Sequence, residues 1–145
     1  MNILVVDDDV GFREALALFL KHEGWNVFRS EDGEDALRKM AKLKIDLLIS
    51  DLYMPVMDGF KLHETIRGMQ AYERLPFIFV SGCHNPQTIH LIKDPTIEAF
   101  HSKERPAEEL LECVYYLMAC SKNPAKAPQQ ASDLPLRAGL PVTRA

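Results

Sequence analysis

Short apolar runs alternate with segments of helical periodicity along residues 1–120, and this alternation predicts an α/β fold. The apolar runs predict strands at 2–6, 25–28, 45–50, 77–80 and 97–102. Apolar residues spaced three and four apart predict helices over about 10–23, around 36–43, over 58–69, from Pro86 to Pro95, and from Pro106 to about 120. Five strand–helix units in succession favour a doubly wound five-stranded parallel sheet with helices on both faces.

Residues at the predicted helix ends agree with this division of the chain. Asp9 is placed to cap the first helix, and Gly24 follows its last turn. Pro106 stands at the first turn of the last helix, where its missing N–H costs no hydrogen bond.

Residues 121–145 differ in composition from the rest of the chain. They contain four prolines among Ala, Gln and Lys and show no helical periodicity. We therefore predict a folded domain over 1–120 and a flexible tail over 121–145, with no room for a separate output domain. The alternative is a docking peptide built on Leu134, Leu136 and Leu140.

Composition and charge exclude several classes of function. The net charge is −4, and the last 25 residues contribute +3, so residues 1–120 carry −7. Because phosphate binding requires clustered Lys and Arg, we expect no direct nucleic acid binding. No apolar run approaches the roughly 20 residues that span a bilayer, so we expect no membrane insertion. Three cysteines without C-x-x-C spacing are typical of a reduced, cytoplasmic protein.

Acidic residues follow the first and third predicted strands. Asp7 and Asp8 follow the first strand, and Asp51 follows the third. Ligands of open α/β sheets bind beyond the carboxyl ends of the strands, and carboxylates there can share one hard cation such as Mg²⁺. Ser81 and Lys103 fall at the ends of the fourth and fifth strands. Each residue alone could be an ordinary cap or a solvated side chain, but their convergence predicts one site.

With these residues in place, the chain resembles the receiver domain of two-component response regulators, over residues 1 to about 120. The matches are Asp7-Asp8, Asp51 with the trailing Met-Pro-x-Met-Asp-Gly, Ser81-Gly82, and Lys103. The resemblance implies a flavodoxin-like receiver fold and a role in phosphorelay signalling, without turnover of a small-molecule substrate.

The family pattern implies a role for each matching residue. Asp51 is the phospho-acceptor, and Asp7, Asp8, Asp51 and the backbone carbonyl of Tyr53 hold Mg²⁺, Asp7 acting through water. Ser81, Gly82 and Lys103 bind the phosphoryl group. Ser81 and Phe100 form the switch, in which Phe100 rotates inward. The implied partners are a sensor histidine kinase or a phosphotransfer protein, and a downstream protein target that the sequence does not identify.

Three features depart from the family pattern or modify it. Glu104 stands where the family usually has a proline joined to the lysine by a cis bond. The fourth helix, between Pro86 and Pro95, must be short. Tyr53 and Cys83 flank the implied phosphorylation pocket, and Tyr53 is placed to shield it from water.

Two other functions compete with a phosphorylated receiver. Asp7-x-Asp9 after the first strand is similar to the motif of haloacid-dehalogenase-type phosphohydrolases, in which the first Asp is the nucleophile. A receiver-like interaction module that works without phosphorylation is the other alternative. Labelling of Asp7 instead of Asp51 would indicate the hydrolase, and failure to bind beryllofluoride with metal would indicate the interaction module.

Overall fold

The computed structural model describes residues 1–82 and 90–123. In these ranges the elements are β1 (Asn2–Val6), α1 (Val10–His22), β2 (Asn26–Ser30), α2 (Gly33–Met40), β3 (Leu47–Asp51), α3 (Gly59–Arg67), β4 (Phe77–Ser81), β5 (Glu98–Ser102) and α4 (Ala107–Lys122). A 3₁₀ turn, Gln70–Tyr72, separates α3 from β4. No helix within the described ranges is both long enough and apolar enough to cross a membrane.

The strands form one five-stranded sheet in the order β2-β1-β3-β4-β5. The pairs of β1 with β2 and with β3 are parallel, with Leu4 opposite Phe28 and Leu48. This is the strand order of flavodoxin-like doubly wound folds, so the fold prediction is confirmed. The chain also divides into two compact units, of which the first comprises Met1–Phe77 and the second begins at Ile78.

The first unit is organised around β1 and β3, whose residues are buried almost without exception. Continuous burial is expected for strands that are covered on both faces. Aspartates cap its three helices: the carboxylates of Asp9, Asp32 and Asp58 accept from the main-chain N–H three residues further on. These caps satisfy N–H groups that have no partner inside a helix, and they fix where each helix begins.

In the second unit, β4 and β5 are buried at every position. Helix α4 packs its apolar stripe inward, and both of its cysteines belong to that stripe. The buried residues of α4 are Leu110, Cys113, Val114, Leu117 and Cys120. Cys113 and Cys120 therefore serve core packing.

Several predicted boundaries differ from the structure. Helix α2 ends at Met40, and Leu43 lies in the following turn, where its N–H donates to Lys39 O. Strand β3 begins at Leu47 because the Asp46 carboxylate accepts from Asn2 N (2.7 Å) instead of packing inward. Pro106 is the N-cap of α4, so the first turn starts one residue later than predicted. The start of the predicted helix at Pro86, and residues 124–145 of the predicted tail, lie outside the described residues.

Candidate functional site

Three aspartates of the first unit converge at the carboxyl ends of β1 and β3. One carboxylate oxygen from each of Asp7, Asp8 and Asp51 lies within 4.8 Å of the other two. Asp7 and Asp51 are buried, whereas Asp8 is exposed. The cluster therefore reaches solvent through Asp8 while its other two members are fixed by the fold.

Three hydrogen bonds fix the position of Asp7. Its N–H donates to Ser30 O (3.0 Å), which extends the pairing of β1 with β2 beyond the end of the strand. Its Oδ1 accepts from Asp9 N (2.9 Å). Its main-chain carbonyl accepts from the Arg13 guanidinium (2.7 Å). The Asp7 side chain is thus oriented by backbone groups, and its peptide by a helix side chain.

Asp51 is oriented by the turn that follows β3. Its Oδ1 accepts from Leu52 N (2.8 Å), and its main-chain oxygen accepts from Ser50 Oγ (2.9 Å). Gly59 N donates to Leu52 O (2.9 Å), which closes the loop from β3 to α3. A Cβ at Gly59 would lie 2.0 Å from Asp51 O, so only glycine permits this approach. The Asp-Gly pair therefore both caps α3 and allows it to begin against the Asp51 backbone.

The same loop contains a strained turn at Val56. Met57 N donates to Pro55 O (2.8 Å), and Val56 has a φ of 68°. This hydrogen bond is that of a γ-turn, and the positive φ gives its rarer, strained form. A β-branched residue is unfavourable there. The turn aims the Met57 carbonyl at the start of α2, where it accepts from Gly33 N (3.0 Å).

Tyr53 occupies the exposed side of this loop. Its side chain is 50% exposed, and its ring meets that of Phe60 edge to face, with centroids 5.7 Å apart. The contact leaves about half of the Tyr53 side chain open to solvent. The role of Tyr53 as a shield of the phosphorylation pocket stays a prediction.

In the second unit, β4–β5 pairing brings together two predicted residues. Lys103 N donates to Ser81 O (3.0 Å), so Ser81, at the end of β4, lies beside the residue that follows β5. Ser81 is buried, and a Cβ at Gly82 would meet no described atom within 4 Å. Phe100 is 2% exposed. The aromatic side chain predicted to rotate inward is therefore already buried in this structure.

The segment after Lys103 forms a tight turn. Arg105 N donates to Ser102 O (3.0 Å), and Glu104 N donates to Ser102 Oγ (3.3 Å). No cis peptide bond occurs among residues 1–82 and 90–123. The turn explains why a residue other than proline stands at position 104. The N–H of Glu104 donates a hydrogen bond there, and proline has no N–H.

A buried histidine lies two residues before Lys103. His101 is 3% exposed, and its Nδ1 has no hydrogen-bond partner within residues 1–82 and 90–123. Burial lowers the pKa of the imidazole below its usual 6.5, although the carboxylate of Glu109 opposes the shift. His101 therefore belongs to the packing between β5 and α4 as a neutral ring.

The acidic cluster fits a small divalent cation. Octahedral Mg²⁺ binds oxygens at about 2.0–2.1 Å, which places adjacent ligands roughly 2.9 Å apart and opposite ligands roughly 4.2 Å apart. One oxygen from each of Asp7, Asp8 and Asp51 lies within 4.8 Å of the other two, so the cluster is little wider than one such coordination shell. Carboxylate oxygens are also the donors that Mg²⁺ prefers. These three residues could therefore hold a metal ion.

The comparisons agree with this geometry. The family model of the response regulator receiver domain matches residues 3–115, and the chain belongs to that family. Receiver domains interact with histidine kinases or phosphotransfer proteins and bind Mg²⁺ at an acidic pocket. Two-component phosphorelay signalling is thus the general class to which this family belongs.

Two curated relatives cover parts of the chain. The CAI-1 autoinducer sensor kinase/phosphatase CqsS of Vibrio cholerae is 32% identical over 78% of this chain and 17% of its own length. Response regulator RR06 of Streptococcus pneumoniae is 38% identical over 61% of this chain and 39% of its own length. The chain thus aligns with well under half of either relative.

One solved structure aligns with this chain over nearly the whole length of the solved protein. Chemotaxis protein CheY4 of Vibrio cholerae has a TM-score of 0.73 and 28% identity, covering 80% of this chain and 97% of that chain. The similarity supports the five-stranded architecture described above.

Sequence reasoning missed the residues that support the acidic cluster. The sequence pattern predicts no role for Arg13, and Val56 is the unspecified position of Met-Pro-x-Met-Asp-Gly. Arg13 follows the cap residue Asp9 by four positions, a spacing that directs its side chain back along the helix toward Asp7. That direction was the available signal for Arg13, whereas the strain at Val56 has no signal in the sequence.

Proposed function

We propose that this protein accepts a phosphoryl group on Asp51 from a phosphohistidine of a sensor histidine kinase or phosphotransfer protein. The observation that carries the proposal is the convergence of Asp51 with Asp7 and Asp8 in a chain of the receiver family. The phosphorylated form would then bind a downstream protein.

The transfer forms one bond and breaks one. An Asp51 carboxylate oxygen attacks phosphorus, the P–N bond to the imidazole breaks, and its electron pair returns to the ring. Asp51 is suited to this step because the Leu52 N–H fixes one carboxylate oxygen (2.8 Å). Phosphoryl transfer depends mainly on such positioning and on neutralising charge at the phosphoryl oxygens.

The remaining residues are assigned by what their chemistry supplies. Asp7, Asp8, Asp51 and the Tyr53 carbonyl would hold Mg²⁺, which offsets the negative charge of the phosphoryl group. The Lys103 ammonium would offset further charge, and Ser81 Oγ would donate a hydrogen bond to a phosphoryl oxygen. Gly82 would leave room for that approach, because glycine has no side chain.

The switch would follow from the Ser81 contact. A bound group shifts a conformational equilibrium only through contacts that differ between the two states. Phe100 is buried here, so the alternative state would be the one in which its ring is more exposed. Phosphorylation would select between these two positions and so alter a partner-binding face.

The experiment that tests the proposal compares two substitutions in one loop. Asp51→Asn removes the acceptor, whereas Asp58→Asn changes a nearby aspartate whose side chain caps α3 by accepting from Lys61 N (2.8 Å). Asparagine is as good an N-cap as aspartate, so the control should keep the fold. Each protein is treated with acetyl phosphate and Mg²⁺ and its intact mass is measured.

Wild type and Asp58→Asn should each gain one phosphoryl group, and Asp51→Asn should gain none. Label that persists in Asp51→Asn and maps to Asp7 would support the phosphohydrolase instead. Absence of label in wild type, together with no metal-dependent binding of beryllofluoride, would support an interaction module that works without phosphorylation.

A further inference from the structure

The hydrogen bond from Arg13 to the Asp7 carbonyl constrains the backbone of the acidic cluster. This carbonyl belongs to the peptide that joins Asp7 to Asp8. A peptide unit is planar, so fixing the direction of its oxygen also fixes its N–H and the Cα atoms at both ends. Arg13 therefore constrains the Asp7–Asp8 peptide plane, and with it the Cα atoms that carry both carboxylates.

Arg13 is itself held in place. Its side chain is 15% exposed, and its Nε lies 3.8 Å from the Glu14 carboxylate. Glu14 also pairs with Arg29 on β2 at 2.6 Å. The planar guanidinium thus lies between the carbonyl of Asp7 and the carboxylate of Glu14. A lysine ammonium, which is a point charge on a flexible side chain, would not reproduce this geometry.

We propose that Arg13 is a positioning residue that sets the relative orientation of Asp7 and Asp8 for the divalent cation. This inference rests on the proposed function, because it assumes that the two carboxylates bind the same Mg²⁺. Mg²⁺ demands near-ideal octahedral geometry, so a rotated ligand plane should weaken binding even though both carboxylates remain.

A competing explanation predicts the opposite change in Mg²⁺ affinity when Arg13 is removed. If Arg13 were merely a positive charge near the site, removing it would reduce its repulsion of Mg²⁺ and tighten binding. If Arg13 positions the ligands, removing it loosens the peptide and weakens binding. The direction of the change therefore separates the two explanations.

The test uses Arg13→Met, which keeps a long side chain but removes the charge and all donors. Arg38→Met is the matched control, because it removes the same positive charge from a guanidinium that pairs with Asp35 on its own helix (3.4 Å). Mg²⁺ dissociation constants are measured by calorimetry well below the melting temperature of each variant. In the metal-free proteins, hydrogen exchange of the Asp9 amide reports on its hydrogen bond to Asp7 Oδ1.

We expect Arg13→Met to bind Mg²⁺ about threefold to tenfold more weakly, as for a lost hydrogen bond from a partly exposed charged group. Its Asp9 amide should exchange faster than in wild type. Arg38→Met should bind Mg²⁺ as tightly as wild type or more tightly, and its Asp9 amide should exchange as in wild type. Tighter or unchanged binding in Arg13→Met would overturn the inference.

Failure of the proposed function would look different. Wild type would then bind no Mg²⁺ in the millimolar range. The Asp9 exchange rates would still show whether Arg13 fixes the Asp7–Asp8 segment, and equal rates in wild type and Arg13→Met would overturn that claim by itself.

Discussion

A methyl group added at Gly59 would collide with the backbone of the proposed phospho-acceptor. Its Cβ would lie 2.0 Å from Asp51 O and 3.0 Å from both Asp51 C and Leu52 Cα. These are main-chain atoms, so no side-chain rotation can relieve the contact. Either the start of α3 or the end of β3 must move.

The expected loss of stability in Gly59→Ala is the balance of two opposing effects. Forced backbone shifts of this kind typically cost about 1–3 kcal/mol. Replacing glycine by alanine in a helix recovers up to about 1 kcal/mol, and less at the first position of α3. A net loss of about 1–2 kcal/mol should lower the melting temperature by roughly 4–8 °C for a domain of this size.

The matched control is Gly68→Ala, at the other end of α3. A Cβ there would meet its nearest atom at 3.5 Å, an ordinary contact, and the backbone φ of −79° suits alanine. Both variants are followed by thermal unfolding and by labelling with acetyl phosphate. Gly59→Ala should melt lower and label more slowly, whereas Gly68→Ala should match wild type in both measurements. Equal behaviour of the two variants would refute the argument that α3 must begin against Asp51.

Three further predictions concern other parts of the chain. Val56→Gly should raise stability by up to about 1 kcal/mol, because the relief of roughly 1–3 kcal/mol at a positive φ exceeds the greater flexibility of unfolded glycine; a lower melting temperature would contradict this. His101 has a lowered pKa, so the unfolded chain binds its proton first, and stability should fall as the pH drops below about 6.5, by at most about 1.4 kcal/mol per unit. His101→Leu should remove that part of the slope, and identical melting profiles against pH would show that His101 does not titrate on unfolding. Ser81→Ala should still accept the phosphoryl group, but amide shifts at Phe100 should be reduced, since a hydrogen bond to a charged group is worth about 1.5–3 kcal/mol; full shifts in the variant would contradict the role of Ser81.

The strands and the acidic cluster followed from features that the sequence displays directly. Apolar runs such as 2–6 and 77–80 mark strands because only side chains covered on both faces can be continuously apolar. Since parallel strands end at one edge of a sheet, Asp7 and Asp51 could be placed together without coordinates. Caps such as Asp9 were predictable because their hydrogen bond spans only three residues.

Other features depend on contacts that local pattern does not encode. Leu43 has the spacing of a helical residue, but α2 ends at Met40, where a tight turn begins. The γ-turn at Val56 runs against the preference of valine, and the fold imposes it by aiming the next carbonyl at Gly33. Tertiary structure overrides local preference at both places, and Val56 lies in the loop that carries the proposed phospho-acceptor.

We propose that Ser81 and Lys103 would contact a phosphoryl group on Asp51. Titration with beryllofluoride and Mg²⁺, followed through backbone amide shifts, measures this contact. We expect saturable shifts at Leu52, Ser81 and Lys103 in wild type and none at these positions in Asp51→Asn. Shifts at Ser81 and Lys103 that persist in Asp51→Asn, or their absence in wild type while Leu52 responds, would contradict it.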